Sequence, residues 1–320
     1  MRYIGRRLLH GLLLLVGVSL LSFLFANLAP GDYFSELRTD PRVSAETVAA
    51  LRAQSGLDRP LPVRYAAWVA SVLRGDFGYS LAYNSPVGPL LWGRVRATLL
   101  LTGTATLLAW LIALPLGTWN ATARGKWGDS VSKVVLSCLL AIPDLLLAIV
   151  FLMLAVESGY FPAGGMVSPG WASLSAPERV LDVAWHLALP VAVLVLGMLP
   201  TLVRHVRASM AEAIDSPFAL SARAQGIPRQ RLLFRHLLPA AANPLISLAG
   251  FSLGTLLSAS LLIEVVMGWP GLGPLFLEAI MARDFALVLA VVMLSASFLV
   301  AGNLLADILL YRMDPRIRMK

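Results

Sequence analysis

Charge is scarce in this sequence. Acidic and basic residues make up 14% of the 320 positions against 58% hydrophobic ones, and the mean hydropathy is +0.76. Soluble domains carry about 25% charged residues, so this balance excludes a water-soluble globular protein and leaves an integral membrane protein. Cysteine is almost missing too. The single Cys138 rules out an intramolecular disulfide and any paired-cysteine metal centre, and its position inside an apolar run suits a small buried residue. The four histidines, His10, His186, His205 and His236, stand near the ends of apolar runs or in loops and form no H-E-x-x-H pattern. No G-x-S-x-G nucleophile motif occurs either. The one Gly-Lys pair, Gly125-Lys126, is followed by Trp127 where a phosphate-binding loop needs Ser or Thr on magnesium. Such a chain cannot hydrolyse ATP by itself and calls for no cofactor of its own. If ATP and magnesium energise it, a separate subunit must bind them.

Long apolar runs are what the sequence does have. A helix needs roughly 20 apolar residues to cross about 30 Å of hydrocarbon. Six candidate spans satisfy this, near residues 8–29, 97–119, 134–157, 184–204, 240–266 and 286–311, and give an all-α membrane protein. Arg2, Arg6 and Arg7 ahead of the first run resemble a signal peptide, but the run is too long and ANLAPGD offers no A-x-A-like cleavage site, so an uncleaved span is expected. Sixteen of the 26 cations fall in the N-terminus, around 124–133, in 204–235 and in the C-terminal tail. Lysine and arginine accumulate in short cytoplasmic loops, so both termini are expected in the cytoplasm. The net charge of +8 is spread over loops beside spans rather than gathered on one folded face, which favours lipid headgroups over nucleic acid.

This reading divides the chain into residues 1–29 (cytoplasmic N-terminus and first span), 30–96 (an extracytoplasmic loop), 97–311 (a five-span core) and 312–320 (a cytoplasmic tail). In the first loop, Ser44 can cap a helix that carries Glu46 in its first turn and ends before Gly56. A second helix is expected over Pro62–Leu73, where Tyr65, Trp68, Val69 and Val72 recur at near-helical spacing; it would lie on the membrane interface or on a partner. RGDFGYS at 74–80 breaks that pattern. A further extracytoplasmic segment, GWPGLGP, has Gly268, Trp269, Pro270, Gly271 and Gly273 in succession and demands a sharp turn.

The most informative segment is RHVRASMAEAIDSPFALSARAQGIPRQRLLFRHLLP, residues 204–239, an arginine-rich stretch between two apolar runs. Helices are expected over Val206–Ile214 and Phe218–Gln225, and another after Pro228. Ser216-Pro217 supplies a helix start. Gly226 permits a turn that residues with side chains resist, and Ala222 and Ala224 let another backbone approach closely. Arg223, Arg229, Arg231 and Arg235 can pair with acidic groups on a partner. Acidic residues inside spans are few. Asp144 follows Pro143 near the expected middle of the third span, whereas Asp307 and Glu264 lie near span ends. Intramembrane carboxylates usually face the bundle interior or a water-filled path, so Asp144 is read either as a structural hydrogen-bonding group or as a lining of the path that favours cationic cargo.

Several stretches together resemble the permeases of the dipeptide, oligopeptide and nickel ABC importer family, and specifically the B-type subunit of its heterodimeric pair. They are NLAPGD at 27–32, LDRPLPVRY at 57–65, RGDFGYS at 74–80, RASM at 207–210, ARAQGI at 222–227, RHLLPAAANPLI at 235–246, GWPGLG at 268–273, RDF at 283–285 and MDPRIR at 313–318. The resemblance implies a type I ABC importer fold in a bacterial plasma (inner) membrane, with a second permease, two ATPase subunits and an extracytoplasmic substrate-binding protein as partners. It also makes residues 204–239 the coupling loop. The family pattern there, E-A-A, three residues, G, nine residues, I-x-L-P, is met by Ala222, Gly226, Leu238 and Pro239, while Leu220 and His236 stand at its Glu and Ile positions. Peptides are the cargo it implies most directly. An ion-coupled transporter is the rival, and it would more often show internal repeats and more intramembrane charge. An intramembrane protease would need a nucleophile and base at matched depth, which the histidine positions do not favour.

Overall fold

The computed structural model describes residues 2–28, Ser44, Glu46 and 59–313. The helix expected between Ser44 and Gly56 lies outside the described residues except for Ser44 and Glu46, as do most of NLAPGD and nearly all of MDPRIR. The long helices are α1 (Arg2–Leu28), α3 (Val87–Thr122), α6 (Ala176–Asp215), α10 (Ala242–Val266) and α12 (Phe285–Met313). Among the described residues, these contain the five single helices long and apolar enough to cross a membrane. The expected third span is not one straight helix. It consists of α4 (Trp127–Ala141) and α5 (Asp144–Ser158), bent by 92° where Ile142 and Pro143 are extended. Proline restricts its predecessor to extended backbone and cannot close a helical hydrogen bond, which accounts for the break.

Two boundaries also differ from expectation. Helix α3 starts at Val87, ten residues before the apolar run, because Pro86 ends the preceding strand and no proline intervenes beyond the first turn. Helix α6 runs unbroken for 40 residues, so Val206–Ile214 is its last part rather than a separate helix. It begins at a capping box in which Glu178 Oε2 accepts the Ser175 backbone N–H at 2.8 Å.

Small residues bring the helices together. Ala97, Leu101, Ala105, Ala109 and Ala113 recur every fourth position of α3 and are at most 4% exposed, forming a narrow stripe within the core shared with α6. Gly250 and Gly254, in a G-x-x-x-G spacing on α10, meet Ala306 and Leu299 of α12 so closely that a Cβ on either would lie 2.2 Å from a side-chain atom. Without a hydrophobic driving force between helices in lipid, such close packing is a main source of association. Helix α1 rests on α12, tied by Arg7 Nε to Asp307 Oδ2 at 3.3 Å.

Between α1 and α3, α2 (Leu61–Leu73) realises the second expected loop helix. It docks on this chain's own first span: Tyr65 Oη lies 2.7 Å from Ser19 Oγ, and the Tyr65 and Phe23 rings meet edge to face at 5.4 Å. RGDFGYS then leads into a two-stranded antiparallel hairpin, β1 (Tyr79–Ser80) and β2 (Ser85–Pro86), which the sequence reading did not anticipate. Between α10 and α12 lies α11 (Leu272–Met281), a short apolar helix that follows the Gly-Pro turn.

Candidate functional site

The arginine-rich segment folds into a platform at one end of the bundle. Helix α6 stops at Ser216, whose Oγ accepts the Ala219 N–H at 3.3 Å and so caps α7 (Pro217–Ala224). Gly226 turns the chain at φ +75°, and Pro228 precedes α8 (Arg229–Leu232). A π-helical turn, Leu233–Leu237, and α9 (Leu238–Ala240) return the chain to α10. The platform has its own small core, in which Ala219, Ala222, Leu232 and Leu237 meet Ala121 of α3 and Val206 and Met210 of α6.

This core reassigns one expected site residue. Ala222 is 6% exposed and serves close packing within the chain, so it does not present a surface to another backbone. Arg223, Ala224, Gly226, Arg229, Arg231 and Pro239 are exposed, and Leu238 is half-buried. The platform also exposes three large apolar side chains, Phe218, Leu220 and Phe234, at 47%, 59% and 66%, none of which the sequence reading counted among the site residues. Their signal lay in the capped helix itself. With Ala219 and Ala222 one turn apart on the inner face, Phe218 and Leu220 are left on the outside. A cavity of about 520 Å³ opens between platform and bundle, lined by Arg124, Ile214, Asp215, Arg223, Ile227 and Arg229 among others.

Beside the platform sits an acid absent from the expected site. Asp129, at the start of α4, is fully buried; its Oδ1 accepts from Arg207 Nε at 2.9 Å, and its Oδ2 from Arg207 at 3.1 Å and Lys133 Nζ at 2.8 Å. This pins the α3–α4 connection to α6. The pairing spans 78 positions, so no local pattern announces it.

At the opposite end, the GWPGLG turn is plugged into the bundle rather than displayed on its surface. Trp269 is 0% exposed and its Nε1 donates to the Ala97 carbonyl at 2.9 Å. Gly268 turns with φ +61°, while Gly271 and Gly273 are buried and Pro270 is half-buried. Glu264, near the end of α10, is fully buried and receives the Gly273 N–H at 2.7 Å; Thr98 Oγ1 receives the Leu272 N–H at 2.8 Å. A neighbouring carboxylate holds the β-hairpin: Asp284 Oδ2 accepts from Ser80 Oγ at 2.6 Å and from the Ala82 N–H at 3.1 Å.

Asp144 stands at the break between α4 and α5 as the first residue of α5, where a negative charge complements the free N–H groups of a helix start. Its side chain is exposed and lies against α6 at Gly197, where an added Cβ would come within 2.4 Å of Oδ1. Among the described residues, none holds it in a hydrogen bond or ion pair.

The chain is thus a helical bundle with a charged break in one span, a plugged turn at one end and a folded, arginine-bearing platform at the other. Residues 113–319 match the binding-protein-dependent transport system inner membrane component family, and residues 1–102 match its N-terminal region. The chain belongs to this family. It is 34% identical to the oligopeptide transport system permease protein AppB of Bacillus subtilis, over 98% of each chain. To the glutathione transport system permease protein GsiC of Salmonella typhi it is 30% identical, over 100% of each. Its fold matches that of a chain in the inward-facing MetNI methionine ABC transporter, with a TM-score of 0.53 and 21% identity, covering 70% of this chain and 96% of that one.

Proposed function

We propose that this chain is the permease subunit of an ATP-driven importer for peptides. It forms half of a translocation path together with a second, similar permease, and it receives cargo from an extracytoplasmic binding protein. Two ATPase subunits bind the ATP and magnesium and dock on the platform of residues 204–239, which faces the cytoplasm together with both termini. The observation that carries this reading is the platform itself: a capped, internally packed element, continuous with a 40-residue helix of the bundle, that leaves Phe218, Leu220, Phe234 and five arginines exposed. Exposed apolar anchors rimmed by arginine are the usual makings of a protein interface. Peptide cargo is supported by the full-length likeness to oligopeptide permeases. Asp144, unpaired at a break in a span, is read as a lining of the path that favours cationic groups.

Copurification tests the reading. The chain expressed with its partner subunits is expected to carry an ATPase through affinity capture in detergent. Gly226→Val, which forces a β-branched residue to φ +75°, should stay in the membrane yet weaken that capture by at least about 1 kcal/mol. Wild-type capture without any ATPase, in company with ion-gradient-driven uptake, would instead establish the ion-coupled alternative.

A further inference from the structure

Helix α6 carries a second charged position in register with Asp144. Gly197, against which the Asp144 carboxylate lies, and Arg204 are seven residues apart, almost two full turns, and so share one face of the helix about 10 Å apart along its axis. Arg204 lines a cavity of about 240 Å³ between α3, α4 and α6, together with Asn120, Lys133, Ser137, Pro200 and Arg207. The cations here outnumber the acids. Asp129 serves both Lys133 and Arg207, whereas Arg204 is exposed and, among the described residues, has no hydrogen bond or ion pair. Asn120 is 1% exposed and keeps one buried side-chain oxygen without a donor. Towards the other end, Pro200 lacks an N–H to close the helical bond to the Leu196 carbonyl, which leaves an acceptor one residue from Gly197. The face of α6 at Gly197 therefore meets the Asp144 carboxylate of α5, and the Arg204 guanidinium is carried on the same face about two turns nearer the platform.

We infer that Asp144 and Arg204 form the two ends of a gauge for zwitterions, with Asp144 receiving the amino-terminal ammonium of a short peptide and Arg204, supported by Lys133, its terminal carboxylate. An extended chain advances about 3.3–3.6 Å per residue, so the rise of about 10 Å along α6 from the level of Gly197 to that of Arg204 is on the scale of a peptide of about three residues. Guanidinium is the side chain best shaped for a terminal carboxylate, which it can hold through two parallel N–H donors. Asp144 is an exposed charge at the depth of a span, and such a charge faces a polar path rather than lipid tails. The inference rests on the proposed import function, and it adds the groups that recognise the cargo's two ends.

The test uses the complete importer in proteoliposomes, with one binding protein throughout, and compares ATP-dependent uptake of trialanine with free ends, with an acetylated amino terminus and with an amidated carboxyl terminus. In Arg204→Gln, uptake of the free peptide is expected to fall about tenfold, as for loss of a charged hydrogen bond. The penalty for amidation should vanish in this variant and that for acetylation remain. Asp144→Asn should behave in the opposite sense, and Arg204→Lys should recover part of the amidation penalty. A second readout is the alkylation rate of a cysteine at Ser137 in a Cys138→Ala background, which free trialanine should slow and amidated trialanine should not. Equal amidation penalties in wild type and Arg204→Gln overturn the inference. So does an Arg204→Gln defect that follows the anionic-lipid content of the vesicles instead of the peptide's end group. Absence of any ATP-dependent uptake by the wild-type complex would instead reject the import function itself.

Discussion

At the scale of single residues, Asp129 governs more of this molecule than its place beside a short loop suggests. It is completely buried and compensated by two cations, one of them bound through two nitrogens. Removing one partner of such a group strands a charge out of water, at a cost of about 3–5 kcal/mol. Arg207→Ala is therefore expected to lower the thermal aggregation midpoint of the purified protein markedly, whereas Arg124→Ala should change it little. The latter pair, Arg124 Nη1 to Asp215 Oδ2 at 2.9 Å, is well exposed on both sides and screened by solvent. Similar midpoints for the two variants would show that Asp129 tolerates losing Arg207, with Lys133 sufficient to hold it.

At the scale of elements, the plugged turn between α10 and α11 depends on Glu264 as well as on its glycines, since a Cβ on Gly273 would lie 2.2 Å from the Leu261 carbonyl oxygen. The carboxylate takes up the Gly273 N–H, and truncation to Ala would orphan that donor in a dry site, at about 1–3 kcal/mol, and leave a cavity besides. Glu264→Ala should consequently lose both thermal stability and a sharp gel-filtration peak, with Glu264→Gln retaining most of each; an unaltered Ala variant would refute the role. The legibility of these elements followed the range of their interactions. Ser216-Pro217 and Gly226 announce a cap and a turn because both act within four residues. The turn at 268–273 was equally plain as a turn, but its burial was not, since the Trp269 indole finds its acceptor 172 positions away. The break at Pro143 was only half legible. The residues on either side are uniformly apolar, so their pattern fits one span as well as two helices at 92°. Asp144 was expected near the middle of a third span; its setting at a helix start against Gly197 required the fold.

Across the whole molecule, the proposed function assigns ATP hydrolysis to partner subunits, and the sequence bears on that assignment. Phosphate binding requires a Gly-rich loop followed by Lys and Ser or Thr, and the one Gly-Lys pair stands in a turn followed by Trp127, which is 83% exposed. The purified chain alone is expected to release no inorganic phosphate from ATP above background, and hydrolysis should appear when ATPase subunits are added. Hydrolysis by the isolated chain that disappears on Lys126→Ala would contradict this. Five of the six expected spans were legible as single helices because hydropathy alone marks them, and the third only as an apolar stretch that folds as a bent pair; the α3–α6 and α10–α12 contacts were not, since small residues mark close approach without naming the partner.

One further consequence follows from the length of α6. Forty residues at 1.5 Å each make a rod of about 60 Å, and it carries the capping box at one end, Gly197 and Arg204 along its middle and the platform at the other. A tilt of about 10° at the platform would sweep the far end of such a rod through about 10 Å, a displacement longer than a bound tripeptide's lateral width. Prolines 190 and 200 sit inside the rod as places where it can flex. Under the proposed function the same helix is both a wall of the cargo route and the shaft that swings it, so force delivered at the platform would reach the cargo along one element.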